Sequence, residues 1–140
     1  MRLWHKDLIP VLPRQQLLGQ WREVCAIARN IAVKGTPNHV LVNRVMEFPP
    51  SHLWKYGWLI YQEMRKRGYK ADYYKFEDWI REPEDDELIP SDFVLFEEWH
   101  GRRYLMQCLH NLQEKADCGA VPPEEWQRIV EQFPEIEKGY

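Results

Sequence analysis

No stretch of this 140-residue chain approaches the roughly 18 consecutive apolar residues that a membrane-spanning helix needs. Its first residues carry Arg2, Lys6 and Asp7 where a signal peptide would carry its apolar stretch, so no membrane association and a cytoplasmic location are expected. Cysteine is scarce: Cys25, Cys108 and Cys118 are an odd number without CxxC spacing, which reads as reduced structural thiols. The five histidines show no HExxH or paired spacing, so no metal is expected. The chain also lacks a P-loop, a GxGxxG turn and any Ser-His-Asp set, and no cofactor is expected.

What is present describes a folded domain. Hydrophobic residues make up 44% of the chain, with seven tryptophans and seven tyrosines, so it is no disordered tail. Its length suits one domain over 1–140 and a monomer. The net charge of −3 hides an asymmetry: residues 1–70 hold 12 Lys/Arg against 4 Asp/Glu, and residues 71–140 hold 7 against 18. Such a split means either that the basic half faces a polyanion or that the halves attract each other. Charge alone leaves both open.

The apolar pattern is helical. Leu17, Trp21, Val24, Cys25, Ala28 and Ile31 recur at three- and four-residue spacing, predicting an amphipathic helix over 14–34 after Pro13 and before Gly35. A second helix is expected after Pro49-Pro50, capped by Ser51 and running to Arg67, with Leu53, Gly57, Ile60, Tyr61 and Met64 buried. A third is expected after Pro90, capped by Ser91 with Asp92 in its first turn, bent at Gly101 and extending towards Lys115. A short fourth spans 123–133. Val40-Leu41-Val42 suits a short extended piece, 76–80 a helical turn, and the acidic stretch 82–87 a solvated loop. Trp54, Trp58, Trp79 and Trp99 are expected in the core. The architecture is a compact all-α domain of three main helices plus a short C-terminal one.

On the first helix, Glu23 falls almost opposite the apolar stripe, among Gly19, Ala26 and Asn30, with Gln16 a turn earlier. Small residues there let another backbone approach. The first dozen residues, with Trp4, Leu8, Ile9 and Leu12 to bury, are the candidate to cross that face and bring the N-terminus to Glu23. The alternative is an exposed glutamate on a loosely composed face. An α-amine has a reference pKa of about 7.7–8.0, so a useful fraction is neutral near neutral pH and can attack an electrophilic carbon such as a sugar C1′. A nearby carboxylate then stabilises the cationic intermediate and moves protons. Arginines such as Arg2 and Arg22 suit phosphate. Arg65 and Arg67 at a helix C-terminus are phosphate contacts or a solvated helix end. His5, close to the amine in sequence, is a candidate proton carrier or a packing residue.

The stretches Gln15-Gln16-Leu17 through Arg22-Glu23, and Tyr56 through Glu63-Met64-Arg65-Lys66-Arg67-Gly68-Tyr69, resemble the phage-type pyrimidine-dimer DNA glycosylases with AP-lyase activity, the endonuclease V of UV repair. The opening Met-Arg-Leu-Trp-His is similar to an uncharacterised bacterial branch of that family. The resemblance implies an all-α fold, double-stranded damaged DNA as partner, the N-terminal amine as nucleophile and Glu23 as the essential carboxylate. It also implies Arg2 and Arg22 at the substrate, with the duplex kinked and a nucleotide flipped out. The sequence departs from the phage pattern in several places. Arg2 in second place implies a retained Met1, whose own amine would act. Gln16 stands where the phage enzyme has histidine. Ala26 replaces a further arginine, for which Arg29 is the nearest substitute, and the aromatic-basic tail is not recognisable in 134–140. The competing expectation is a non-catalytic domain of the same fold that binds nucleic acid or a protein.

Overall fold

The computed structural model describes residues 1–83 and 93–138, and every regular element among them is helical. The chain opens with an extended stretch and a 3-10 turn, Lys6–Val11, then enters helix α1, Arg14–Lys34. Gly35 closes α1 at φ 77°, a left-handed conformation that costs glycine little. A second 3-10 turn, Asn43–Glu47, leads to α2, Pro50–Lys66. The single turn α3, Tyr74–Glu77, precedes α4, Arg102–Asp117, then α5, Pro123–Gln132, and α6, Glu135–Lys138. This is the expected all-α domain.

Helices α1 and α2 pack face to face, and α3 lies against α1. The α2 stripe buries Leu53, Trp54, Tyr56, Gly57, Ile60 and Met64, while Tyr61 stays half-buried. Gly57 is required by a close approach, because a Cβ there would overlap the Phe76 ring of α3. Filling that space with a side chain would force Phe76 out of the core. Trp54 and Trp99 are buried and Trp58 packs at the core's edge, but Trp79 is 40% exposed, against the expectation of a core tryptophan.

Three boundaries differ from the sequence reading. Ser51 is not a cap: Pro49 holds the cap position and Pro50 the first turn of α2, where a missing N–H costs nothing. Residues 40–42 form a turn with Val40 and Leu41 exposed, so there is no extended piece. The third main helix begins at Arg102, with Gly101 as its cap residue rather than as a bend within it. Pro90, Ser91 and Asp92 lie outside the described residues, as does most of the acidic stretch. Residues 95–100 are turns, with Phe96 and Glu98 at φ 52° and 71°. Burying Leu95, Phe96, Trp99 and His100 wins there over helix continuation. Rings of Phe48, Phe96, Trp99 and His100 meet at centroid distances of 4.8–6.2 Å.

The N-terminal segment is the structural keystone of the site. Leu3, Trp4, Leu8, Ile9 and Leu12 are buried, and the segment packs on α2 and α5. The carbonyls at the end of its 3-10 turn are short of donors, Ile9 O taking only a long 3.4 Å bond from the Leu12 N–H. Arg67 supplies them: Nη1 donates to Leu12 O at 2.7 Å, and Nη2 to Ile9 O and Pro10 O at 3.2 Å each. Its Nε donates to Glu63 at 2.8 Å. At the start of α1, the Arg14 N–H donates to Glu125 of α5 at 2.6 Å, a carboxylate where the helix dipole favours one. This contact is one of several that join the two halves, with Tyr104 to Leu3 O and His5 to His100 O among the others. The ion pairs Arg44–Glu47 and Arg102–Glu135 each close within one half.

Candidate active site

The extended residues 1–5 cross the first half of α1, and the crossing is held by a buried amide. Gln20 is 1% exposed in an otherwise apolar stripe. Its Oε1 accepts from the Trp4 N–H at 2.7 Å and lies 2.7 Å from the Tyr56 hydroxyl. Its Nε2 donates to Arg2 O at 2.9 Å and to Glu23 Oε2 at 3.0 Å. Tyr56 also reaches Trp4 O at 2.6 Å, and Tyr104 of α4 donates to Leu3 O at 2.6 Å. The backbone before Trp4 is fixed by side chains from three helices.

Beside this crossing lies a cleft of about 380 Å³ lined by Met1, Arg2, Gln16, Gly19, Gln20 and Glu23, with Asn111 and Lys115 of α4 on its wall. Burial pushes the Glu23 carboxyl above the ordinary glutamate range. The N-terminal ammonium, the Arg2 backbone N–H, His39 and Arg22 pull the other way and do not overcome it. Both Met1 and Glu23 line this cleft. Gln16 Oε1 is buried and has no hydrogen-bond partner among the described residues.

Arg2 stands at the cleft with its guanidinium 5.2 Å from the Trp4 ring centroid and Nη1 3.7 Å from Cys108 Sγ. Arg22 is exposed and lies beside Gly19, where an added Cβ would come 3.9 Å from its guanidinium. So the structure gathers Met1, Arg2, Gln16 and Glu23, with Arg22 at the rim.

Four other sequence candidates stand elsewhere. His5 is 2% exposed; its Nδ1 accepts from the Asp7 N–H at 3.1 Å and its Nε2 donates to His100 O at 2.7 Å. Both nitrogens are spent, burial holds its pKa below 6.5, and it caps the 3-10 turn instead of lining the cleft. Arg67 is committed to Glu63 and three backbone carbonyls. Arg65 lies 5.9 Å from the Tyr61 ring and Arg29 5.9 Å from that of Trp79, both outside the cleft.

Sequence reasoning missed Gln20, Tyr56, Asn111 and Lys115. Gln20 carries a readable signal, a polar residue in step with Leu17, Val24 and Ile27. Asn111 and Lys115 carry none, since only the tertiary fold brings α4 here.

A family model described as pyrimidine dimer DNA glycosylase matches residues 1–76. The chain belongs to that family. The match takes in the N-terminal segment, α1 and α2 and reaches into α3, so the family's signature covers Met1, Arg2, Gln20, Glu23 and Tyr56. The α4 wall of the cleft lies beyond it. Comparison with curated proteins and with solved structures gives no match. Among the described residues no group of three or more histidine, cysteine, aspartate or glutamate side chains is placed to hold a metal ion, and no helix is long and apolar enough to cross a membrane.

Proposed function

We propose that this protein is a DNA repair glycosylase with AP-lyase activity, acting on pyrimidine-dimer or abasic sites in double-stranded DNA through its N-terminal amine. One observation supports the reading: Met1 and a partly buried Glu23, its carboxyl pKa raised by burial, line the same polar cleft in a member of this family. Perturbed carboxyls in clefts mark acid/base chemistry.

The neutral Met1 amine attacks C1′ of an extrahelical deoxyribose, forming a C–N bond as the glycosidic bond breaks and the base leaves with a proton. Opening of the sugar ring gives an iminium cation, which the Glu23 carboxylate faces and stabilises. Loss of a C2′ proton then expels the 3′ phosphate, cutting the strand, and Glu23 is the group placed to move protons in these steps. At an abasic site the same amine condenses with the C1′ aldehyde and water leaves. Arg2 and Lys115 at the cleft and Arg22 at its rim supply positive charge for the flanking phosphates.

Borohydride reduction in the presence of an abasic duplex tests this. A covalent protein–DNA adduct is expected, and it is lost when the N-terminal amine is blocked. No adduct from protein with a confirmed free N-terminus overturns the enzymatic reading.

A further inference from the structure

The Gln20 carboxamide has two lone pairs and two N–H bonds, and the fold uses all four. Its oxygen faces two donors, the Trp4 N–H and the Tyr56 hydroxyl; its nitrogen faces two acceptors, Arg2 O and Glu23 Oε2. Turning the amide over would set N–H against N–H on one side and oxygen against carbonyl and carboxylate on the other. The orientation is therefore fixed by its surroundings. This side chain touches both the backbone one residue from the amine and the Glu23 carboxylate.

Three consequences follow from the geometry. The Arg2 carbonyl is pinned one residue from the amine, which limits where the amine can swing. Glu23 Oε2 takes the Gln20 amide, and the Arg2 backbone N–H also acts on the carboxylate, so its position is tied to the same segment. The donated hydrogen bond also favours the charged carboxylate and so opposes the burial that raises its pKa. Tyr56 is fully buried, and its single hydroxyl hydrogen is shared between Gln20 Oε1 and Trp4 O. It braces the amide from the α2 side.

We propose that Gln20, braced by Tyr56, is the positioning residue of this site: its amide ties the Arg2 backbone, one residue from the amine, to the Glu23 carboxylate and so sets the two relative to each other. The inference rests on the amine–Glu23 chemistry proposed above for its kinetic part, and not for its titration part. Tyr56 does not line the cleft, and the hydrogen-bonding positions of the Gln20 amide are taken up within the protein.

The test uses Gln20→Met, similar in length but without the amide, and Tyr56→Phe, which keeps the ring and removes the brace. The first readout is the Glu23 carboxyl titration followed by NMR in the DNA-free protein. Losing a charge-assisted donor raises the midpoint by about one pH unit in Gln20→Met. Tyr56→Phe raises it in the same direction by less. The second readout is cleavage of an abasic duplex: kcat falls about 10-fold or more, KM stays unchanged, and the acid limb of the pH profile moves up with the midpoint. A merely structural role would lower the melting temperature and move neither midpoint nor limb. An unmoved midpoint in folded Gln20→Met overturns the proposal; if that variant does not fold, an unmoved midpoint in Tyr56→Phe overturns it. A moved midpoint in a protein whose wild type traps no abasic DNA leaves the positioning standing and removes the lyase reaction.

Discussion

The two ends of the N-terminal segment are held by opposite means. At its far end, residues 9–12 are fastened by one arginine, whose guanidinium nitrogens donate to three carbonyls and the Glu63 carboxylate. At its near end, residues 2–4 are fastened by neutral groups, the Gln20 amide and the hydroxyls of Tyr56 and Tyr104. A charged anchor is strong, but its charge is then used up. A neutral anchor leaves the amine, Arg2 and Glu23 with charge still facing the cleft. The difference separates a joint from a site within a dozen residues of chain.

The sharpest way to break this comparison is Glu23→Gln, which keeps the shape and removes the ionisable group. Strand cleavage of an abasic duplex is expected to fall by about 100-fold or more, with melting temperature unchanged or raised, because a partly buried charge is gone. A large loss of stability instead would place Glu23 with the joint. Arg67→Ala should do the reverse. It strands Glu63 and the segment's carbonyls, and about 3 kcal/mol of stability should disappear in urea titrations. DNA affinity measured well below the melting point should keep the wild-type salt slope.

Between the two ends sits a titratable pair. His5 and His100 stack at 5.2 Å, and the Lys6 N–H donates to His100 Nδ1 at 3.0 Å. Burial, with smaller contributions from His5, Lys6 and Arg44, pushes the His100 pKa down to about 2, and burial also lowers that of His5. The unfolded chain binds these protons near pH 6.5 and the folded chain refuses them, so stability is complete above that pH and drains away as pH falls below it. Each pH unit below about 6 should cost up to about 1.4 kcal/mol for His100 alone. Thermal melts between pH 7 and 4.5 check the sign, and a His100→Phe variant should flatten the slope. The smallest expected effect belongs to Arg2→Ala. If its charge faces phosphate, the slope of log affinity against log salt should shrink by about 0.9, a change Arg67→Ala does not produce. Equal slopes for the two variants would erase the distinction between the ends.

Much of this architecture was legible in the sequence because it is set locally. Apolar spacing and Gly35 delimit α1, and the same helical projection put small residues beside Glu23 where a crossing segment lies. The long-range chemistry was harder to read. A guanidinium binds a row of carbonyls as readily as a phosphate, so nothing in Arg65-Lys66-Arg67 distinguishes an anchor from a DNA contact. His5 looked available because it is near the amine in sequence, yet its partner is His100, 95 positions away. The start of α4 was misplaced because the buried side chains of Leu95, Phe96, Trp99 and His100 outweigh the helix-forming tendency of their own stretch.

The crossing of the N-terminal segment also has a consequence in time. Residues 1–12 are fastened by Arg67 and by His100, Tyr104 and Cys108, partners up to 106 positions further along the chain. Contacts that distant in sequence close slowly. A chain cut short before α4 would keep Met1 and Glu23 but lose Asn111 and Lys115 from the cleft wall and Tyr104 from the Leu3 carbonyl.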